Sequence, residues 1–263
     1  PLLPALRAQP VMAASRYVPA QWCQAAATLE QFNDDHGPPP VASPRGGTGM
    51  LAAQAACPFR AYARHRLTAR APDEPRPGLS ALDKGNAVHG ALARLWTELG
   101  SQARLQALAP DALHEHVANA VADALPSWPA LTPLERSVLE VERQRLKSLL
   151  LRWLEEERKR TPFTVLAVEQ PREVRIGDLQ FRVRLDRIDQ LDDGSELIID
   201  YKTGKCSRND WLPPRMNEPQ LPFYAVAGTD AEVRGIAYGK VDSVKPAWLM
   251  SEVLDEAQWA EQC

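Results

Sequence analysis

The period of the hydrophobic pattern changes once along this chain, at Phe163, and that change limits the fold more than any other feature. Before it, apolar residues recur at helical spacing. The clearest case runs from Pro133 to about Arg160, where Leu139, Leu146, Leu149, Leu150 and Trp153 share one face and charges fill the rest. After it, the period is two. "FTVLAVEQPREV" and "LQFRVRLDRIDQL" read as strands, "DDGS" at 192–195 as a turn, and "ELIIDYK" as a third strand. "PQLPFYAVAG" reads as a short helix, since Pro219 and Pro222 are tolerated only in its first turn. "VRGIAYGKV" reads as a fourth strand. Helices, then a strand meander, then helix and strand predict an α/β core. Its mixed central sheet is flanked by helices and preceded by a helical N-terminal half.

Upstream, the punctuation is Pro and Gly. A helical pattern lies around "AQWCQAAATLEQF", and "GPPPVASPRGGTG" (Gly37 to Gly49) reads as a loop or linker. "MLAAQAACPFRAYARHRL" turns helical again, 71–80 is a loop, and "SALDKGNAVHGALARLWTEL" is an amphipathic helix with Ser80 and Asp83 as N-cap residues. A further helix is expected near Asp111 to Leu125. These breaks divide the chain into an N-terminal segment and linker, 1–49, and a domain over 50–263. The domain has a helical part, 50–160, and a sheet core, 161–263. The chain begins at Pro1 without a Met, which reads as a fragment continuing into an upstream region.

Bulk properties narrow the function classes. A net charge of −3 gives no global signal for nucleic acid, so DNA contact would need a local groove or metal ions. Four scattered cysteines, Cys23, Cys57, Cys206 and Cys263, form no CxxC pair and suit a reducing compartment. No run of eighteen apolar residues is present, so no membrane partner is expected, and "PLLPALRAQP" lacks the features of a signal peptide.

The chemistry gathers in the strands. "LIIDYKTGK" is apolar enough to be buried, yet ends in an acid and a base. Alternation places Asp200 and Lys202 on one side and Tyr201 on the other. Asp186, fourteen residues earlier in "RVRLDRID", falls near Asp200 if the two strands pair through "DDGS". Two close carboxylates repel unless a cation lies between them, and oxygen-rich sites suit Mg²⁺ or Mn²⁺. Together with Lys202 these parts suit metal-assisted phosphodiester hydrolysis. The bland alternative is a D-x-K surface ion pair worth ~0–1 kcal/mol. Arg187 and Asp189 are expected to be solvated or paired with each other.

"RLDRID", then "LIIDYKTGK", then "QLPFYA" resembles the PD-(D/E)xK nuclease superfamily, and more narrowly the RecB/AddB-type nuclease domain at the C-terminus of bacterial helicase–nuclease repair proteins. The likeness covers about Met50 to Val241. It implies a restriction-endonuclease-like fold, bacterial cytoplasmic location, and an upstream helicase-like region or partner helicase subunit. "GNAVHGAL" supplies a helical His89, which the resemblance makes a metal ligand; the alternative is a satisfied core histidine. "AVEQ" supplies Glu169, which the resemblance makes a catalytic acid supporting the metal ligands from behind; the alternative is a solvated acid. Asp186 and Asp200 are the expected metal ligands, with the Tyr201 carbonyl as a third oxygen. Lys202 would position the attacking water. Gln220 and Tyr224, four apart on one helix face, would touch the DNA backbone or brace Lys202; the alternative for Tyr224 is core packing.

Many members of this group carry an iron–sulfur cluster held by one Cys before a "CPF"-like motif and three near the C-terminus. Cys57 in "ACPFRAY" matches the first, but the C-terminal group is not visible, so no cluster is expected in this chain. The P-loop pattern is absent as well. The resulting expectation is a Mg²⁺- or Mn²⁺-dependent DNA exonuclease of repair or recombination, with arginines such as Arg60, Arg64, Arg66 and Arg208 lining a DNA groove. Two alternatives stand beside it: an inactive nuclease-like DNA-binding or scaffolding module, and an unrelated hydrolase of small phosphoesters.

Overall fold

Strand β3, Glu196–Lys202, is the middle strand of the sheet, and its apolar run can be covered on both faces. The computed structural model describes residues 46–71, 78–125, 132–176, 179–211, 216–227, 233–242 and 244–252. They fall in one unit, Val41–Cys263. The helical pattern around 20–32 and most of the Pro-rich stretch lie outside the described residues.

The sheet has five strands in the order β1-β2-β3-β4-β5. β1 (Phe163–Ile176), β2 (Leu179–Leu191) and β3 form an antiparallel meander. β4 (Val233–Lys240) pairs parallel with β3, and β5 (Ala247–Glu252) antiparallel with β4. The sheet is therefore mixed. Pro171 is accommodated because β1 is an edge strand. β5 was not expected: "AWLMSE" is only six residues, with Pro246 directly before it.

Alternation along β3 splits the interior in two. Leu197, Ile199 and Tyr201 join the first core, with Leu92, Leu95 and Trp96 of α3 (Ala81–Leu99), Val117 of α5 (Pro110–Ala124) and Leu150 and Trp153 of α6 (Pro133–Arg158). Ile198 joins the second, with Leu221 and Tyr224 of α7 (Gln220–Ala227), and α1 (Gly47–Ala56) adds Met50 and Leu51 at its edge. Burying each such aliphatic side chain stabilises by ~1.5–3 kcal/mol. α2 (Pro58–Ala61) and the short α4 (Gln102–Ala107) complete the α-helices among the described residues. None of these helices is long and apolar enough to cross a membrane.

Helix starts follow local chemistry. Ser80 caps α3 and Thr132 caps α6, each in a reciprocal capping box, with Asp83 and Glu135 as the third residues of the turn. Asp83 is thus the partner of the cap, not a cap itself. The helix expected from Met50 onward begins at Gly47 and breaks at Cys57, whose backbone is extended (φ −165°, ψ 115°). Pro58 is the cause: it disfavours helical geometry at the residue before it and starts α2 in its own first turn. A π-helical turn, Tyr62–Arg66, follows directly.

One sequence expectation is met in only one of its two forms. Arg187 and Asp189 pair with each other (2.5 and 2.7 Å), but both are fully buried rather than solvated. Arg187 also reaches Glu157 at 2.8 Å, and Arg160 reaches Glu157 and Asp189. The Arg187 guanidinium lies 3.9 Å from the centroid of Trp96 and 4.6 Å from that of Phe163. This buried network joins the end of α6 to β2 and locks the helical half to the sheet.

Candidate active site

Two ladders bring the acids together. Between β1 and β2 the pairs Val168↔Arg187 and Gln170↔Leu185 set Glu169 opposite Asp186. Between β2 and β3 the pair Arg187↔Ile199, extended by one residue, sets Asp186 opposite Asp200. The strand alternation slips at this point: Phe181, Val183 and Leu185 face the second core, and so does Ile188. Glu169, across from the slip, has φ +49°, a left-handed conformation rare for a residue with a Cβ. Such a residue costs ~1–3 kcal/mol and persists where its surroundings hold it.

Asp186 is held from two sides. The backbone N–H of Tyr201 donates to its Oδ2 at 2.8 Å, and the Nδ1 of His89 lies 3.2 Å from the same oxygen. His89 projects from α3, where Val88, Leu92 and Leu95 are buried; its own side chain is about 30% exposed toward the acids. Burial opposes its protonation, but the hydrogen bond and charge of Asp186, with the charges of Asp200 and Glu169, raise its pKa overall. His89, Glu169 and Asp186 each offer a ligand atom, all within 4.8 Å of one another. Burial, then the Asp186 charge, raise the Glu169 carboxyl, while Arg184 at 2.7 Å and His89 oppose them.

Asp200 is the most perturbed acid. It is 4% exposed. Burial first, and then the Asp186 charge, raise its pKa to about 6 against the pull of Lys202 and His89. Gln220, the first residue of α7, donates from Nε2 to Oδ1 at 3.0 Å. Lys202 Nζ lies 2.8 Å from Oδ2, so this buried oxygen is paired with the ammonium. Lys202 loses solvation yet has a raised pKa because Asp200, and less closely Glu218, favour its charge. The Tyr201 side chain turns away from the acids, and its ring meets that of His89 edge-on, 6.2 Å between centroids. Its hydroxyl meets Arg187 at 2.8 Å, so its ring ties β3 to the buried ion network.

Around these groups lies a cleft of about 870 Å³, which also takes in Gly46, Gly47, Thr48, Arg182 and Arg184. Gln220 engages Asp200 rather than Lys202. Tyr224 is buried, with its hydroxyl 3.4 Å from the Arg184 carbonyl, and burial pushes it up to about 12. Cys57 and Cys206 are half-buried free thiols; Cys23 and Cys263 lie outside the described residues. Sequence reading missed Arg184, Glu218 and the Gly46–Thr48 edge. Their residue types are ordinary at a surface, and only the fold brings them to the acids.

The sequence model of the PD-(D/E)XK nuclease superfamily matches residues 50–261. The chain belongs to this superfamily. No curated protein matches it. The solved structure of SSO0001 is 19% identical, covering 74% of this chain and 76% of that one, with a TM-score of 0.26, too low to add to the assignment. Superfamily members are typically metal-dependent nucleases, and the donor set here fits a divalent ion. It comprises one imidazole nitrogen, two carboxylates within reach of each other, and the buried Asp200 carboxyl opposite Asp186.

Proposed function

We propose that this domain is a Mg²⁺- or Mn²⁺-dependent DNA exonuclease of the RecB/AddB type, acting in repair or recombination beside a helicase-like region or subunit. The observation that carries the reading is Asp186, fixed between the Tyr201 amide and His89 and facing Glu169 and Asp200. A scaffold gains nothing from three acids crowded at one strand end. The histidine on an N-terminal helix, the D-x-K strand and the Gln220 bond to Asp200 support the narrower subgroup.

His89, Glu169, Asp186 and Asp200 would hold the ion. When bound, it supplies Lewis acidity at the scissile phosphate and lowers the pKa of an attacking water. Lys202, kept cationic by Asp200, would orient the attacking water and offset charge growing on the phosphate oxygens. Gln220 keeps Asp200 turned toward the cleft, and the Tyr201 amide keeps Asp186 there.

The test compares linear DNA labelled at one end with a covalently closed circle of the same sequence, with Mg²⁺, Mn²⁺ or EDTA. Mononucleotides or short oligonucleotides from the linear substrate alone are expected. Cleavage of the circle would make the enzyme an endonuclease. Hydrolysis of a nitrophenyl phosphate with none of DNA would favour a small-phosphoester enzyme.

A further inference from the structure

The first described helices carry a feature that the acids do not explain. Residues 46–71 contain no Asp or Glu but have Arg60, Arg64, Arg66 and Arg70 in a chain of net charge −3. In the same stretch Phe59 is 74% exposed and Tyr62 37% exposed. They sit three apart across α2 and the π-helical turn, so they neighbour each other on one face; Arg60 and Arg64, four apart and exposed, form a second row beside them. Arg66 adds its guanidinium 6.0 Å from the Tyr62 ring centroid. A π turn is an uncommon device that often marks functional sites.

The segment is anchored and lies at the cleft. Ala53 and Ala61 are buried, and Met50 and Leu51 pack on the second core. His65 of the π turn packs on Gly46, where a Cβ would lie 2.1 Å from the imidazole. Gly46, at φ +109°, is itself a wall of the cleft. The π turn therefore touches one wall of the cleft.

We propose that Phe59 and Tyr62 form a stacking platform for single-stranded DNA entering the cleft, with Arg60 and Arg64 tracking its phosphates. Interleaved aromatic and basic rows are what an unpaired strand needs: each base has a π face, and the backbone carries one charge per nucleotide. A duplex keeps its bases stacked internally and cannot use the aromatic row. A basic protein surface would be repelled by the arginines. The inference rests on the nuclease reading for the direction of the strand, but the surface itself can bind without cleavage.

Anisotropy of a labelled dT₂₀, measured in EDTA with the full chain, tests it. Phe59→Ala/Tyr62→Ala and Phe59→Leu/Tyr62→Leu should each weaken binding about tenfold or more, since leucine keeps apolar area but has no π face. Arg60→Ala/Arg64→Ala should lower the slope of log affinity against log salt by about 1.4, two phosphate contacts. Thermal melts and hydrolysis of a thymidine nitrophenyl phosphodiester, which presents no trailing strand, should match the wild type. Wild-type affinity in both aromatic variants overturns the platform, as does equal loss for blunt duplex. A wild-type dimer that only the alanine variant abolishes, with dT₂₀ affinity unchanged, would assign the patch to a second copy and also overturn it. If the wild type binds dT₂₀ but cleaves no DNA, the nuclease reading fails and the platform stands.

Discussion

Replacing Asp200 by Asn should stabilise the metal-free protein while abolishing its activity. The carboxyl is buried beside Asp186, and its pKa rises from 3.8 to about 6. A raised folded-state pKa means the favourable contribution is present below 3.8 and is lost as pH rises through 6. Above that, keeping Asp200 ionised costs about 3 kcal/mol relative to the neutral acid, because each tenfold change in a protonation equilibrium is worth ~1.4 kcal/mol. Asn mimics the neutral acid and still accepts from Gln220 at Oδ1. D200N should therefore melt about 5–10 °C higher than wild type at pH 8 in EDTA, with the difference shrinking toward zero near pH 4. Adding Mn²⁺ at about 1,000-fold its Kd should reverse the order, because it stabilises the wild type by about 4.1 kcal/mol and the variant has lost a ligand. Thermal or urea melts between pH 4 and 8.5 read this directly. A D200N protein that is no more stable at pH 8, or whose gain is the same at pH 4, would refute the assignment of strain to the ionised carboxylate.

Other perturbations probe the frame around it. Glu169→Gly should be about 1 kcal/mol more stable than Glu169→Ala in urea melts, since φ +49° penalises any Cβ. Gly239→Ala should cost about 1–3 kcal/mol, because the new methyl would lie 2.7 Å from the Tyr201 ring and 3.0 Å from Trp153. Gln220→Leu removes a hydrogen bond to the charged form of Asp200, so the acid limb of kcat/KM should move to higher pH. Arg187→Met leaves the buried pair Glu157 and Asp189 to share Arg160 and should cost about 3–5 kcal/mol; Lys there should not restore the two-point contact with Asp189.

The strands that carry the acids were legible because period-two patterning and the "DDGS" turn fix register, and register alone sets Asp186 opposite Asp200. Long capped helices were legible for the same kind of reason. What stayed hidden depends on contacts across the fold. Arg187 and Asp189 look like surface charges in a polar–apolar alternation, and nothing local says that Glu157, at the far end of α6, and Arg160, just past it, will meet them in the interior. β5 is too short to stand out beside its proline. The left-handed Glu169 has no composition signal at all, since the position would ordinarily suit Gly or Asn. Its opposition to Asp186 emerges only when β1 pairs.

The most direct measurement is single-turnover cleavage of end-labelled linear DNA by the wild type, Asp186→Asn and Lys202→Met, each with Mg²⁺, Mn²⁺ or EDTA. The wild type should cleave with either ion and not in EDTA. Asp186→Asn and Lys202→Met should lose about two to three orders of magnitude, on the scale of removing one group that acts in the transition state. Wild-type rates in Asp186→Asn, or no cleavage by the wild type with either metal, would contradict the assignment of this site as a metal-dependent nuclease centre.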